Sequence, residues 1–304
     1  MKTKFLSIAA ALLLAASTQA QFTALHNFNG TKGANPFQDC SLTLSGNKLY
    51  GMTYQGGIND SGVIFSIDTN GIFYKVLLNF NTANGSYPIG SLTLSGSVLY
   101  GVAQWGGAHG FGVIFRIDTN GNNYKDLFDF NGTNGEYGLG TLVLSGAKLF
   151  GMAFQGGANN DGVIFSIDTN GNFYKVILNF NGTNGSYPGG SLILSGAKLF
   201  GMTSLGGIND SGVIFSIDTN GNFYKDILNF NGTNGWSPEG SLVRSGAELF
   251  GMTLRGGAHA DGVIFSIDSN GNFYKDLLNF NGTNGALPIG DLTLSGNVLY
   301  GMTK

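Results

Sequence analysis

The sequence has little of what most chains of its size use for cross-linking or catalysis. Among 304 residues there is one cysteine, Cys40. No disulfide can form within the chain, so stability has to come from packing, and Cys40 reads as a small buried residue rather than a nucleophile. Histidine occurs only as His26, His109 and His259, with no metal-ligand spacing, and all three read as solvent-exposed loop residues. Charged residues make up 11 % of the chain, 15 basic against 18 acidic. That sparse, slightly acidic balance argues against nucleic acid as a partner, because such binding rests on clustered Lys and Arg. Proline occurs five times and glycine follows no three-residue period, which excludes collagen. Beyond the first twenty residues no apolar run approaches the ~20 needed to span a membrane. No apolar period of 3.6 residues reaches helical length either.

Glycine is what the chain has in excess: 51 residues, scattered among short apolar runs rich in Phe, Leu and Ile. Such a chain can bury a core and is not disordered. Glycine punctuating short strands marks an all-β protein. Residues 1–20 have a different character. Lys2 and Lys4 precede an apolar run over 5–16, and small residues lead up to Ala20. This pattern predicts a signal peptide cleaved after Ala20, and hence a secreted or cell-surface chain with no transmembrane segment after cleavage. Without Lys2 and Lys4 the balance is 13 basic to 18 acidic, a net charge of −5.

From Gly51 the chain repeats every 50 residues without insertion or deletion, as 51–100, 101–150, 151–200, 201–250 and 251–300. A half unit at 22–50 precedes these, and a stub at 301–304 follows. Residues 21–304 therefore read as one repeat domain. Each unit offers four short strands, exemplified by 91–94, a strand from Val98 to just before Gly106-Gly107, then 63–67 and 73–80 in the first copy. Asn70-Gly71 and its counterparts are hairpin turns, because both residues tolerate positive φ. Four strands per ~50 residues is the arithmetic of a β-propeller blade. The count predicts about six blades, the closing one incomplete: a fourth strand at 22–28, two strands at 291–303 and no third. Either the ring closes imperfectly or the chain is a fragment of a longer protein, which is the reading we prefer.

The order Leu99-Tyr100, Gly106-Gly107, Val113-Ile114-Phe115 and Tyr124 resembles the kelch repeat. A closer resemblance is to the GloVer tandem repeat of exported bacterial surface proteins. Its Leu-Tyr-Gly-Met-Thr, Gly-Gly, Gly-Val-Ile-Phe, Asn-Gly and Asn-Phe pattern stands at 49–81, and the likeness extends over 22–304. The resemblance implies a kelch-like β-propeller, often displayed through varied C-terminal anchors, and no established activity. The pattern runs to Lys304 without an anchor, which counts against surface attachment.

Strands that alternate in direction place the first and third turns of a blade on one face and the loops between them on the other. The turns Ser95-Gly96 and Asp68-Thr69-Asn70-Gly71 hardly change between copies, whereas 54–55, 58–61 and 86–89 and their counterparts do. The variable face is the expected binding surface, and the invariant one reads as scaffold. Candidate ligand contacts are Tyr54, Gln55, Trp105, His109, Phe154, Asn159 and Arg255 from the loops after the second strand. The loops before the first strand add Tyr87, Tyr137, Tyr187, Trp236 and Glu239. Aromatic planes beside polar side chains suit a sugar, whose C–H face stacks while its hydroxyls hydrogen-bond.

Several other motifs are better explained by structure. Asp-Thr-Asn-Gly-Asn lacks the Gly and Glu positions of a calcium loop and reads as an Asp-capped turn. Asn-Gly-Thr at Asn29, Asn131, Asn181, Asn231 and Asn281 reads as a turn rather than a glycosylation site. Arg244 and Glu248, both unique to their copy, suggest a compensating ion pair. Glu136 and Glu239 could face a central channel, but no constellation requires a metal, a cofactor or a catalytic residue. The expected function is non-catalytic binding of an extracellular ligand, a glycan first. The alternatives are a structural or adhesive protein that contacts other surface proteins and, third, a polysaccharide hydrolase or lyase.

Overall fold

The structure, a computed structural model, describes residues 23–37 and 40–304; the signal peptide expected at 1–20 lies outside the described residues. Five four-stranded antiparallel sheets follow one another along the chain, each with its strands in sequence order. The first holds β1 (Thr43–Ser45), β2 (Lys48–Thr53), β3 (Val63–Asp68) and β4 (Lys75–Asn79). The second holds β5 (Ser86–Ser95), β6 (Val98–Trp105), β7 (Val113–Asp118) and β8 (Lys125–Asp129). The third holds β9 (Glu136–Ser145), β10 (Lys148–Gln155), β11 (Val163–Asp168) and β12 (Lys175–Asn179). The fourth holds β13 (Ser186–Ser195), β14 (Lys198–Leu205), β15 (Val213–Asp218) and β16 (Lys225–Asn229). The fifth holds β17 (Val243–Ser245), β18 (Glu248–Thr253), β19 (Val263–Asp268) and β20 (Lys275–Asn279), and the hairpin β21 (Thr293–Ser295) with β22 (Val298–Tyr300) follows it. This is a β-propeller, and the described residues contain no helix.

The repeated motifs each have a packing role. Val-Ile-Phe in the third strand is buried in the first four blades, because that strand lies between two others and its faces are covered by adjoining blades or, for β3, by Leu25 and Phe28 on one side. In the fifth blade Ile264 is only half-buried. The Gly facing it across the pair, Gly151 opposite Phe165 for example, leaves room for the ring; a Cβ there would collide with Phe165. The Phe of each Asn-Phe pair seals one blade against the next. Phe80, Phe130, Phe180 and Phe230 are fully buried and meet Phe115, Phe165, Phe215 and Phe265 edge-on, with centroids 5.3 to 5.5 Å apart.

Near the axis, neighbouring blades touch through backbone. Gly90, Gly140, Gly190 and Gly240 each lie so close to the corresponding glycine 50 residues on that a Cβ would overlap its carbonyl group. Beside them runs a ladder of hydrogen bonds. The N–H groups of Ser41, Ser91, Thr141, Ser191 and Ser241 donate to the side-chain oxygens of Ser91, Thr141, Ser191, Ser241 and Asp291, at 2.6 to 3.0 Å.

The structure alters several sequence expectations. Residues 86–89, expected in a loop, form the start of β5, pairing with the end of β6 across a register shift that admits them to the sheet. Tyr87, Tyr137 and Tyr187, with Trp105 and Phe154, thus stand on strands. Residues 23–28 are not a strand, yet they fill a fourth-strand place: Leu25 lies under Gly71 as Leu77 lies under Gly121, and Phe28 packs on Phe65. His26 is not a solvent-exposed loop residue. It stacks on Tyr74 at 3.8 Å, as its counterpart Phe128 stacks on Tyr174, and burial holds its imidazole below the usual pKa, with the nearby charge of Lys32 adding to this. Cys40 is half-buried, its N–H donating to the Phe37 carbonyl at 3.0 Å. Arg244 and Glu248 form no ion pair. The register sets Arg244 opposite Leu249 and Glu248 opposite Ser245, so the two side chains leave opposite faces of the sheet into solvent. The fourth strand begins at Lys75 rather than Phe73, which is exposed at φ 57°.

Candidate functional site

Backbone hydrogen bonds tie the loops of each blade into two opposite faces. On one, the N–H of Thr69 donates to the Asn47 carbonyl at 2.8 Å, and Thr119, Thr169, Thr219 and Ser269 repeat this link between the two invariant turns. On the other, the variable segments meet. The Tyr87 N–H donates to the Ser61 carbonyl at 2.8 Å, and Tyr137, Tyr187, Ser237 and Leu287 make the same bond to Phe111, Asp161, Ser211 and Asp261. All five of these residues hold a left-handed φ between 48° and 56°.

Aromatic pairs line this second face. Tyr54 meets Tyr87 at 4.9 Å, Trp105 meets Tyr137 at 4.2 Å, and Phe154 meets Tyr187 at 5.2 Å. In the fifth blade the Arg255 guanidinium lies 5.7 Å from the centre of the Trp236 ring. Burial, reinforced by a hydrogen bond to Glu136, pushes the Tyr137 hydroxyl up to about 12. Gln55 accepts a hydrogen bond from the Asn35 amide. His109 and His259 are exposed at loop tips. Asn159 is exposed too, but its side-chain amide donates to the Phe180 carbonyl at 2.7 Å and so holds its own loop together.

At the centre the first strands of the second, third and fourth blades, with the segments that precede β17 and β21, line a cavity of about 430 Å³. Ile89, Leu139, Gly189, Glu239 and Ile289, each 50 residues from the last, give it one wall, and Phe154, Tyr187, Ser204 and Ser237 lead towards the variable face. Phe37, from near the start of the described chain, lines the same space as Ile289. Three of the twelve candidates, Phe154, Tyr187 and Glu239, border the cavity, while Glu136 does not. The apolar wall and Ser204 were not singled out from the sequence, although aligning position 89 across the copies shows Glu239 where the others have Ile, Leu or Gly. Burial raises the Glu239 carboxyl above its ordinary range, opposed by the charges of Lys304 and Arg255 and a hydrogen bond from Ser237. The second acidic group, Asp291, is engaged by the Ser241 N–H at 2.6 Å. No group of three or more His, Cys, Asp or Glu suited to a metal ion occurs among the described residues.

Residues 12–209 and 155–304 match the model of the Gloeobacter/Verrucomicrobia repeat. The chain belongs to this repeat family. The family's Leu-Tyr-Gly, Gly-Gly and Asn-Phe landmarks are therefore the blade-forming positions described above. No curated protein matches the sequence. Among solved structures, the chain resembles one in a nidogen/laminin complex at 13 % identity and TM-score 0.54, covering 83 % of this chain and 81 % of that one. It resembles TolB from Acinetobacter baumannii at 14 % identity and TM-score 0.50, covering 75 % and 50 %. An oligogalacturonate lyase in complex with manganese is similar at 14 % identity and TM-score 0.51, covering 83 % and 66 %. These likenesses are of fold. Among the described residues no helix is long and apolar enough to cross a membrane.

Proposed function

We propose that this repeat propeller is exported and binds an extracellular glycan, without catalysis, on the face that carries its variable segments. The observation that supports this is the run of aromatic pairs on that face, one of which, Phe154–Tyr187, borders a central cavity that also holds the Glu239 carboxyl. Tyr54–Tyr87, Trp105–Tyr137 and Phe154–Tyr187 offer ring faces for stacking. Glu239, Ser204 and Ser237 offer hydrogen bonds to hydroxyls deeper in, and the cavity is within the size range of small-ligand sites. A hydrolytic reading has less support, because Glu136 and Glu239 do not share the cavity. A glycan array probed with the native protein, the Trp105→Ala, Trp236→Ala double variant and Glu239→Gln tests the proposal. Binding by the native protein that both variants weaken at least tenfold is expected. Absence of binding, or binding that neither variant changes, refutes the site.

A further inference from the structure

The turns between third and fourth strands, on the face opposite the proposed site, carry a feature that internal packing does not explain. Phe73, Phe173, Phe223 and Phe273 occupy equivalent positions there, with φ between 54° and 59°. A bulky side chain in the left-handed region is strained, whereas Asn is at ease there, and the second blade indeed has Asn123 at φ 54°. The strain gains nothing inside the molecule. The four phenylalanines are 73 to 86 % exposed, and none makes a ring contact. A residue that costs backbone strain and stays in water is accounted for by an external contact.

We infer that these four phenylalanines form a docking surface for the same face of a second copy of this chain. Two properties favour that occupant. The first is area: at the ~150–250 Å² that a buried Phe contributes, four rings bring on the order of 600 Å² from each copy. The pair then reaches the roughly 1,200 Å² at which stable protein interfaces begin. The second is charge. The exposed Lys75, Lys125, Lys175, Lys225 and Lys275 alternate around this face with the half-buried Asp118, Asp168, Asp218 and Asp268, while Asp68 is buried and paired with Lys48 at 2.6 Å. The ammonium groups of Lys75, Lys125 and Lys225 are held on the next blade's turn by the carbonyls of Asn120, Asn170 and Asn270, at 2.6 to 2.8 Å. A rim that carries both signs in turn complements itself under a two-fold rotation, as an isologous interface requires.

The test is sedimentation velocity of the native protein and of a Phe73→Asn, Phe173→Asn, Phe223→Asn, Phe273→Asn variant, from about 1 to 200 µM, the micromolar range of modest interfaces. The substitutions copy the residue of the second blade, so the variant's unfolding midpoint should equal or exceed that of the native chain. The expected result is a native dimer and a variant that dimerises at least tenfold more weakly at unimpaired stability. A native protein that stays monomeric throughout, or a variant that dimerises equally well, overturns the inference. A monomeric native protein that binds phosphatidylglycerol vesicles through these phenylalanines would overturn it too, by assigning the face to a lipid surface. Because the glycan site is on the other face, the array result stands or falls separately.

Discussion

The N–H of Thr141 donates to the hydroxyl of Ser191 at 2.8 Å, across the boundary between the third and fourth blades. The Ser191 N–H donates in turn to Ser241 at 2.8 Å. Ser191→Ala removes the acceptor and leaves a half-buried N–H without its partner, at a cost of about 1–2 kcal/mol. Ser191→Thr, the residue present at 141, should cost much less. Urea unfolding of the two variants measures the difference.

Two glycines of similar φ separate strain from crowding. Gly140 has φ 70° and abuts the Gly190 carbonyl, whereas Gly146 has φ 60° and open space around it. Gly146→Ala should lose only the left-handed penalty of about 1–2 kcal/mol. Gly140→Ala carries a similar penalty and must also push two blades apart, which adds roughly 1–3 kcal/mol. Thermal unfolding of both variants should show the larger fall for Gly140→Ala.

Alkaline pH should unfold the propeller. Tyr124, Tyr174, Tyr224 and Tyr274 each donate to a backbone carbonyl 40 residues earlier, at 2.6 Å, and burial raises all four hydroxyls well above the ordinary tyrosine value. Burial raises Tyr74 to about 12. A raised folded-state pKa means stability that is intact below pH 10 and is lost as pH climbs towards the folded value. Tyrosinate absorbance and circular dichroism, followed together from pH 9 to 13, the range around tyrosine's ordinary pKa, should report ionisation of these residues only as the sheets unfold.

The fourth strands differ in how well they are covered. Leu127 is 6 % exposed and packed between the second and third blades, while its counterpart Leu277 is 40 % exposed. Leu127→Ala should therefore cost about 2–4 kcal/mol, and Leu277→Ala under ~1 kcal/mol. Equal losses would mean that Leu277 is covered in solution.

The blades were legible because each copy restates the same local rules: Asn-Gly turns, a β-branched third strand and a Phe that seals the interface. What escaped notice depended on partners far away in sequence. Residues 86–89 vary, which resembles loop behaviour, yet they pair with the end of β6. His26 carries a polar ring where other copies have Leu or Phe, and only the stack on Tyr74 shows that it fills their place. Glu239 could be picked out because it breaks a repeat. Phe73 and its counterparts could not, since an aromatic beside a strand reads as core until its backbone angle and exposure are known.

The ladder running from Ser41 to Asp291 is also directional. Each blade gives a backbone N–H to the next and accepts one from the blade before, so the contact between blades is head-to-tail. Any unit can therefore follow any other. Duplication or deletion of a whole unit changes the girth of the propeller without inventing an interface, whereas an insertion of a few residues would throw the ladder out of step. Such a molecule can vary its number of blades more easily than the length of any one of them.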